Sequence, residues 1–272
     1  MKKSKLNNDL TVSVILPTYN ESRNIGPLID DITELLKNRN YEIIVVDDDS
    51  PDGTMNVVEE KNKQNRRVNL ICRTDRRGLT SALNDGIAHA QGEIVLWMDS
   101  DFQMPPSVVP ELIEKVENGY DAAIGSRFIK VDADLRHKNE KIRGIVGVHR
   151  NLSKLICRLT SRAFKSEIKD WTSGFIAIKR ELLDGVDLFG DYGEYFIYLV
   201  HYLENRGYRV VEVPYDLMTR RYGDSKTLDG YIGMIGKGVK YLYAVPRLLL
   251  LHTHENSVFN KEKKNYESGK KG

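Results

Sequence analysis

The chain has 272 residues, with 41 lysines and arginines against 39 aspartates and glutamates and a net charge of +2. This length suits one large α/β domain or two modest ones, and the near balance of charge argues against a nucleic-acid-binding protein. Cys72 and Cys157 lie far apart, and the histidines lack metal-ligand spacing, which disfavours a disulfide framework and a zinc site. With no signal peptide and no apolar run of about 18 residues, we expect a cytoplasmic setting without a transmembrane helix.

Strands and helices alternate through the first half of the chain, after a polar arm at residues 1 to 10. Apolar runs predict strands at Val12 to Leu16, Glu42 to Val46, Val68 to Cys72 and Ile94 to Met98, with helices around residues 25 to 36, 54 to 64 and 80 to 90. Such alternation is typical of a mostly parallel, doubly wound α/β sheet. The carboxyl ends of its strands would face one cleft.

The second half begins with a helix at residues 108 to 118 and a strand at 121 to 124. A long amphipathic helix is predicted from 141 to 165, then a strand at 175 to 178, a helix at about 195 to 205 and a strand at 209 to 213. In the long helix, Arg150, Lys154, Arg158 and Arg162 repeat every four residues. A solvated face is the favoured interpretation of this repeat, and attraction to anionic headgroups or phosphate is the alternative.

We place one domain at residues 11 to 227, with its two halves meeting at about residue 115. A cationic loop, RRYGDSK, runs from 220 to 226. Residues 228 to 256 include an apolar stretch, 231 to 251, that lysines and an arginine interrupt, and it would lie in a membrane interface or cover a core edge. The lysine-rich residues 257 to 272 are predicted to form a disordered tail.

The run Ile94 to Met98 ends in Asp99, Ser100 and Asp101, with Gln103 two residues further on. Carboxylate and amide oxygens suit Mg²⁺ or Mn²⁺ better than zinc. Mg²⁺ commonly takes one or two protein carboxylates and completes its shell with substrate phosphates. This stretch therefore indicates a divalent-cation site that also receives a phosphate.

Several short motifs together resemble family 2 glycosyltransferases of the GT-A fold, and within them the dolichyl-phosphate mannose synthase branch. They are PTYNE at 17 to 21, VDDDSPDGT at 46 to 54, GL with the following small residues at 78 to 82, DSDFQMPP at 99 to 106, GSRF at 125 to 128, DWTSGF at 170 to 175, EVP at 212 to 214 and RRYGDSK at 220 to 226. The motifs follow the family's order over residues 12 to 226. The resemblance implies a GT-A catalytic domain at residues 11 to 227, with a nucleotide-sugar half at 11 to 115 and an acceptor half at 116 to 227. It also implies amphipathic helices at a membrane surface over residues 228 to 256.

The resemblance also implies a role for individual residues. Nucleotide-sugar contacts would come from Pro17, Tyr19, Glu21, Asp47, Asp48, Asp99, Ser100 and Arg127. Metal ligands would be Asp99, Asp101 and Gln103, and the acceptor phosphate would meet Arg127, Arg143, Arg220 and Lys226. The residues expected to carry catalysis are Asp101, Arg143, Arg220 and Lys226.

The implied reaction is inverting transfer of a hexose, with mannose from GDP-mannose favoured, to a polyprenyl phosphate. A phosphate monoester is already anionic near neutral pH, because its second pKa is about 6, so no general base is needed. The chain departs from the branch at Gly147, Ile176 and Tyr198, where serine, arginine and glutamate are frequent. Glu194, one turn before Tyr198, is a candidate substitute, and UDP-glucose or UDP-GlcNAc stays open as donor.

Two other functions stay open. A transferase with a saccharide hydroxyl as acceptor would need a base, for which Asp170 and Glu194 are candidates. A catalytically silent chain would bind nucleotide sugar within a membrane complex. The expected partners are a nucleotide sugar, a polyprenyl phosphate, a membrane surface at its cytoplasmic face and a small membrane-protein subunit, with no nucleic acid.

Overall fold

The computed structural model describes residues 11 to 129, 143 to 190, 193 to 223, 244 and 246 to 248, with the backbone alone from 143 to 149. The described strands are β1 Val12–Thr18, β2 Tyr41–Asp47, β3 Val68–Cys72, β4 Ile94–Trp97, β5 Ala122–Ser126, β6 Ile176–Lys179 and β7 Val210–Pro214. The described α-helices are α1 Ser22–Leu35, α2 Thr54–Gln64, α3 Leu79–His89, α4 Val109–Glu117, α5 Arg143–Phe164 and α6 Glu194–Asn205. The predicted strands and helices are thus confirmed, with small shifts at their ends.

The seven strands form one sheet in the order β3-β2-β1-β4-β6-β5-β7. β1 pairs in parallel with β2 and β4, and β5 pairs in parallel with β7. β6 runs antiparallel to both of its neighbours, β4 and β5. The predicted α/β fold with a mostly parallel central sheet is therefore confirmed.

Two hydrophobic cores cover the two faces of this sheet. In β1, Ile15 belongs to one core, and Val14 and Leu16 belong to the other, because successive side chains of a strand point to opposite faces. Trp97 and Trp171 are 1% and 0% exposed in the first core, which agrees with their interpretation as core residues. The sheet is thus a rigid frame for the loops at its ends.

The strand order also locates the cleft. From β1 the chain moves outward to β2 and β3, and then returns to place β4 on the other side of β1. In open α/β sheets, ligands bind at the carboxyl ends of strands at such a reversal. The loops after β1 and β4, which carry Glu21 and Asp101, meet at this position.

The C-terminal part of the chain is described at four residues only. Ala244 and Leu248 are helical, and their side chains are 0% and 1% exposed within the first core. No helix of the described residues combines the length and the apolar character needed to cross a bilayer. The predicted arm, the rest of the 228 to 256 segment and the predicted tail lie outside the described residues.

Candidate active site

Three non-glycine residues adopt positive φ angles at the same edge of the sheet. They are Asn20 at 57°, Asp49 at 55° and Phe102 at 66°, and they follow β1, β2 and β4 respectively. A residue held in this region costs about 1–3 kcal/mol, and such residues cluster at functional sites. The carboxyl edge of the sheet is therefore the first candidate for the site.

Hydrogen bonds lock the loops of this edge together. The Ser100 hydroxyl donates to the Pro17 carbonyl at 2.9 Å, which ties the loop after β4 to the end of β1. The Asn20 backbone amide donates to the Ser50 hydroxyl at 2.9 Å, which ties the loop after β1 to the loop after β2. These hydrogen bonds fix the positions of the three loops relative to one another.

The two predicted nucleotide contacts after β2 have protein partners. Asp47 is fully buried and accepts hydrogen bonds from the Thr18 hydroxyl at 2.7 Å and the Ser50 amide at 2.8 Å. Asp48 accepts from the Gly78 amide at 2.8 Å and from the Arg73 guanidinium. In this structure both carboxylates organise the loop edge, and their contact with a nucleotide stays a prediction.

Arg73 is a site residue that the sequence reasoning missed. Its side chain is 3% exposed and pairs with Asp48 through Nε at 2.8 Å. It also donates to the Gly78 carbonyl at 3.1 Å and the Ser81 hydroxyl at 2.8 Å. Arg73 thus joins the two ends of the loop from 73 to 78. Its position directly after β3, equivalent to that of the acidic residues after β2 and β4, was the available signal.

Tyr19 lies at the rim of the cleft with the tip of that loop. The Arg77 guanidinium is 4.8 Å from the centre of the Tyr19 ring and donates to its hydroxyl at 3.1 Å. Arg77 is also 4.0 Å from the Asp49 carboxylate. An aromatic ring, a guanidinium and a carboxylate on one rim can stack on and hydrogen-bond to a planar polar ligand.

The centre of the cleft holds the predicted metal-binding stretch against the cationic loop. Arg220 donates to Asp101 Oδ2 through Nη1 at 3.2 Å and pairs through Nη2 with Glu21 Oε1. The side chains of these three residues are 13%, 9% and 7% exposed, in the order Arg220, Asp101 and Glu21. The structure therefore brings together residues that are 80 or more positions apart in sequence.

The loop that carries Arg220 is held at both ends. The Met218 amide donates to the Gln103 carbonyl at 2.9 Å, and the Arg221 amide donates to the Asp101 carbonyl at 3.3 Å. On the other side, Asn24 of α1 donates to the Tyr222 carbonyl at 3.1 Å. These backbone contacts place Arg220 between the ends of β1 and β4.

Charge is unbalanced at this position. When all four side chains are ionised, Glu21, Asp99 and Asp101 carry three negative charges and Arg220 carries one positive charge. Burial, followed by the neighbouring charge of Asp101, raises the pKa of Asp99 from 3.8 to about 7. Burial likewise raises the pKa of Asp101. Two uncompensated negative charges in a protected cleft match the charge of one divalent cation.

The donor set also fits a Mg²⁺ or Mn²⁺ ion. Asp101 Oδ1 accepts a hydrogen bond from the Gln103 backbone N–H at 2.9 Å, which places these two predicted ligands in one turn. Within the described residues no group of three or more acidic, histidine or cysteine side chains forms a complete ligand cage. Carboxylate and amide oxygens are the ligand type that Mg²⁺ prefers, and the ion completes its shell with water and phosphate oxygens.

Arg127, predicted to contact substrate, is held by a buried carboxylate. It donates to Asp170 through Nε at 2.7 Å and through Nη2 at 2.6 Å, and Nη2 also donates to Thr172 at 2.7 Å. Asp170 is fully buried. Burial by itself lowers the pKa of Arg127, but the charge of Asp170 outweighs it and the pKa lies above its ordinary value. The two side chains form a fixed pair behind the cleft.

The remaining predicted residues are less defined. Arg143 begins α5, and its side chain lies outside the description, as does all of Lys226. Glu194 begins α6 and is 5% exposed, whereas Tyr198 stacks on Phe189 with ring centres 4.4 Å apart. Replacement of the absent glutamate by Glu194 stays a prediction.

Comparison with known proteins identifies relatives over most of the chain. The sequence profile of glycosyl transferase family 2 matches residues 13 to 187. The dolichol-phosphate mannosyltransferase of Pyrococcus furiosus is 36% identical over 247 residues, which cover 88% of this chain and 67% of that protein. The protein of the same name from Mycosarcoma maydis is 28% identical over 244 residues, covering 81% of this chain and 74% of its own.

Solved structures share the fold. Glucosyl-3-phosphoglycerate synthase of Mycobacterium tuberculosis, in complex with Mn²⁺, UDP and phosphoglyceric acid, superposes with a TM-score of 0.63 at 22% identity. That match covers 87% of this chain and 78% of the synthase. Its complex with Mg²⁺ and UDP gives a TM-score of 0.64 at 21% identity, over 87% of this chain and 79% of the synthase.

Proposed function

This chain belongs to glycosyl transferase family 2 and is a glycosyltransferase, and on that premise we propose that it makes a polyprenyl-phosphate sugar. The proposed donor is GDP-mannose and the proposed acceptor is dolichyl phosphate or a related polyprenyl phosphate. An oxygen of the acceptor phosphate attacks the anomeric carbon, and the bond from that carbon to the nucleoside diphosphate breaks with inversion. The names of the two mannosyltransferase relatives support this choice of sugar and acceptor.

The observation that carries the proposal is the charge imbalance among Glu21, Asp99, Asp101 and Arg220. Asp101 and Gln103, with Asp99, would hold a Mg²⁺ or Mn²⁺ ion at this position. When bound, such an ion supplies Lewis-acid stabilisation of the charge that develops on a departing diphosphate. The site thus has the electrostatic character that a nucleotide-sugar donor requires.

The state of Asp170 argues against the first of the two candidate bases for a saccharide acceptor. This carboxylate is fully buried and accepts hydrogen bonds from the Arg127 guanidinium and from the backbone amides of Arg127 and Thr172. A carboxylate held in this way is not placed to remove a proton from a saccharide hydroxyl. An acceptor phosphate needs no base, so its oxygen requires only alignment, which Arg220 and the predicted cations Arg143 and Lys226 would provide.

A polyprenyl acceptor requires a protein that works at a membrane. We therefore propose peripheral association with the cytoplasmic face of a membrane, where nucleotide sugars are the expected donors. Residues 231 to 251 remain a candidate for this contact, although Ala244 and Leu248 within them are buried in the core.

One assay tests the whole proposal. The full chain would be incubated with Mn²⁺, a polyprenyl phosphate and labelled GDP-mannose, UDP-glucose or UDP-GlcNAc in parallel, and label would be counted in the organic phase. We expect label from GDP-mannose only, and none after chelation of the metal. Label from a different donor would overturn the sugar, and label transferred only to a saccharide hydroxyl would overturn the acceptor.

A further inference from the structure

The outer face of α5 combines exposed leucines with arginines. Leu155 and Leu159 are 51% and 46% exposed, and Arg158 and Arg162 are exposed beside them. Their spacing places all four on one side of the helix. We call these four residues the α5 outer face. The 22 residues of α5 contain no aspartate or glutamate, so nothing within the helix neutralises these charges.

A cavity of about 570 Å³ opens next to this face. Its lining combines apolar side chains such as Phe128 and Ile129 with four cations, Lys154, Arg158, Arg162 and Lys169, and one carboxylate, Glu167, so positive charge predominates. Across the described residues Arg158, Arg162 and Lys169 have no carboxylate partner, whereas Arg39, Lys61 and Lys179 on the rest of the surface each form an ion pair. The cavity is thus a pocket for an anionic group.

The inner face of α5 contacts the candidate active site. The hydroxyls of Ser153 and Thr172 are 2.8 Å apart, and Thr172 accepts from Arg127 at 2.7 Å. Cys157 Sγ is 3.6 Å from the same Thr172 hydroxyl. Because a helix with its side chains is about 10–12 Å across, any surface that touches the α5 outer face lies about one helix diameter from the Arg127 pair.

We propose that the α5 outer face docks on an anionic lipid bilayer, with the leucines in the headgroup region and the adjoining cavity around a lipid phosphate. The proposal rests on the proposed function for its purpose, because a long polyprenyl chain keeps the acceptor in the bilayer. Docking in this orientation brings the bilayer within about one helix diameter of the Arg127 pair. It also assigns the membrane contact to a segment other than residues 231 to 251.

The chemistry favours a bilayer over other anionic occupants. A free phosphate would use the cations but would leave Leu155 and Leu159 in water. An amphipathic helix with arginines beside large apolar residues matches the membrane interface, where apolar side chains enter the acyl boundary and cations meet the headgroups. Basic residues near such a surface each contribute to binding, and the contributions add.

The test measures vesicle binding of the full chain without substrates. The first variant is Arg158→Gln with Arg162→Gln, and the second is Leu155→Gln with Leu159→Gln. The matched control is Leu35→Gln with Lys37→Gln, which changes a 39% exposed leucine and an ion-paired lysine on the nucleotide side. Cosedimentation would use vesicles of equal parts phosphatidylcholine and phosphatidylglycerol, and vesicles of phosphatidylcholine alone.

We expect the arginine variant to lose roughly 25-fold in affinity for the anionic vesicles. The leucine variant should lose roughly tenfold, and the control should bind as the native chain does. Inorganic phosphate at constant ionic strength should not release the native chain. Equal binding by all variants, or release by inorganic phosphate alone, would overturn the proposal.

Turnover separates this proposal from the proposed function. With a short-chain polyprenyl phosphate dispersed in detergent, both α5 variants should keep native activity, because their substitutions face away from the cleft. Loss of vesicle binding with intact detergent activity supports docking through α5. If the native chain shows no transfer in detergent, the proposed function fails while the vesicle result still decides the docking surface.

Discussion

The carboxyl edge of the sheet and the outer face of α5 are both rich in arginine, but they use it differently. At the sheet edge, Arg73, Arg127 and Arg220 each pair with a buried carboxylate. On the α5 outer face, Arg158 and Arg162 have no such partner among the described residues. Whether an arginine pairs with a buried carboxylate therefore indicates its role better than its presence in the sequence does.

The physical basis of this difference is burial. The Arg73, Arg127 and Arg220 side chains are 3%, 11% and 13% exposed, so removal of a partner would leave a charge away from water. Arg158 and Arg162 are exposed and remain hydrated without a partner. The first group holds the site together, and the second is available to an outside surface.

The largest expected effect comes from Asp101 at the sheet edge. Asp101→Asn removes one charge from the proposed cation site and weakens the contact with Arg220, so turnover should fall by about 10³-fold or more. Mn²⁺ affinity measured by calorimetry should fall with it, and Asp30→Asn on the exposed surface should change neither. Native Mn²⁺ affinity in Asp101→Asn would place the cation elsewhere.

The next effect concerns the buried pair behind the site. Asp170→Asn leaves the Arg127 charge without its counter-charge, and we expect the free energy of unfolding to fall by about 3–5 kcal/mol in urea titrations. The matched control is Asp121→Asn, whose partner Lys179 is 32% exposed, and it should cost about 0–1 kcal/mol. Similar losses in the two variants would show that burial does not distinguish the pairs.

A smaller effect is the dependence on pH. Because the pKa of Asp99 is raised to about 7, the folded cation-free chain keeps a proton that the unfolded chain loses near 3.8. The folded state is therefore favoured at low pH, and this contribution of Asp99 to the free energy of unfolding is lost as pH rises from 3.8 to about 7. The same proton must leave before Asp99 can ligate a cation, so Mn²⁺ affinity should rise as pH rises through about 7. Asp99→Asn should flatten this rise, and an unchanged pH profile would exclude Asp99 as a ligand.

The smallest effect is expected on the stability of the protein when the arginines of the α5 outer face are replaced. Arg158→Gln with Arg162→Gln should change the free energy of unfolding by no more than about 0.5 kcal/mol for each substitution, because exposed and unpaired charges contribute little. Urea titrations beside the Asp170→Asn variant make the comparison direct. A loss of several kcal/mol would mean that these arginines stabilise the fold.

Most of the fold could be predicted because buried strands and helices have a recognisable pattern of apolar residues in the sequence. β1, β2 and β4 are short apolar runs, and α1 and α5 carry apolar residues at helical spacing, so type and order followed from periodicity. No sequence pattern indicated the direction of β6 in the sheet. Ile176, Ala177 and Ile178 are apolar like the residues of β4 and β5, and only the placement of β6 between those two strands makes it antiparallel to both.

The candidate site could be predicted in part. The stretch from Asp99 to Gln103 could be recognised by the abrupt change from apolar to acidic residues after a strand. Arg73 was missed because a single arginine after a strand has no distinctive pattern. The internal partners of Asp47 and Asp48 could not be foreseen, because Thr18 and Gly78 reach them from other strands and loops.

The sequence by itself determined the alternation of strands and helices, the family and the identity of the charged residues at the strand ends, since each depends on neighbouring positions in the chain. The tertiary structure decided which charges are paired. Arg220 meets Glu21 across 199 positions, and Arg127 meets Asp170 across 43. Electrostatic energy depends on distance and burial in space, and a linear sequence specifies neither until the sheet brings its loops together.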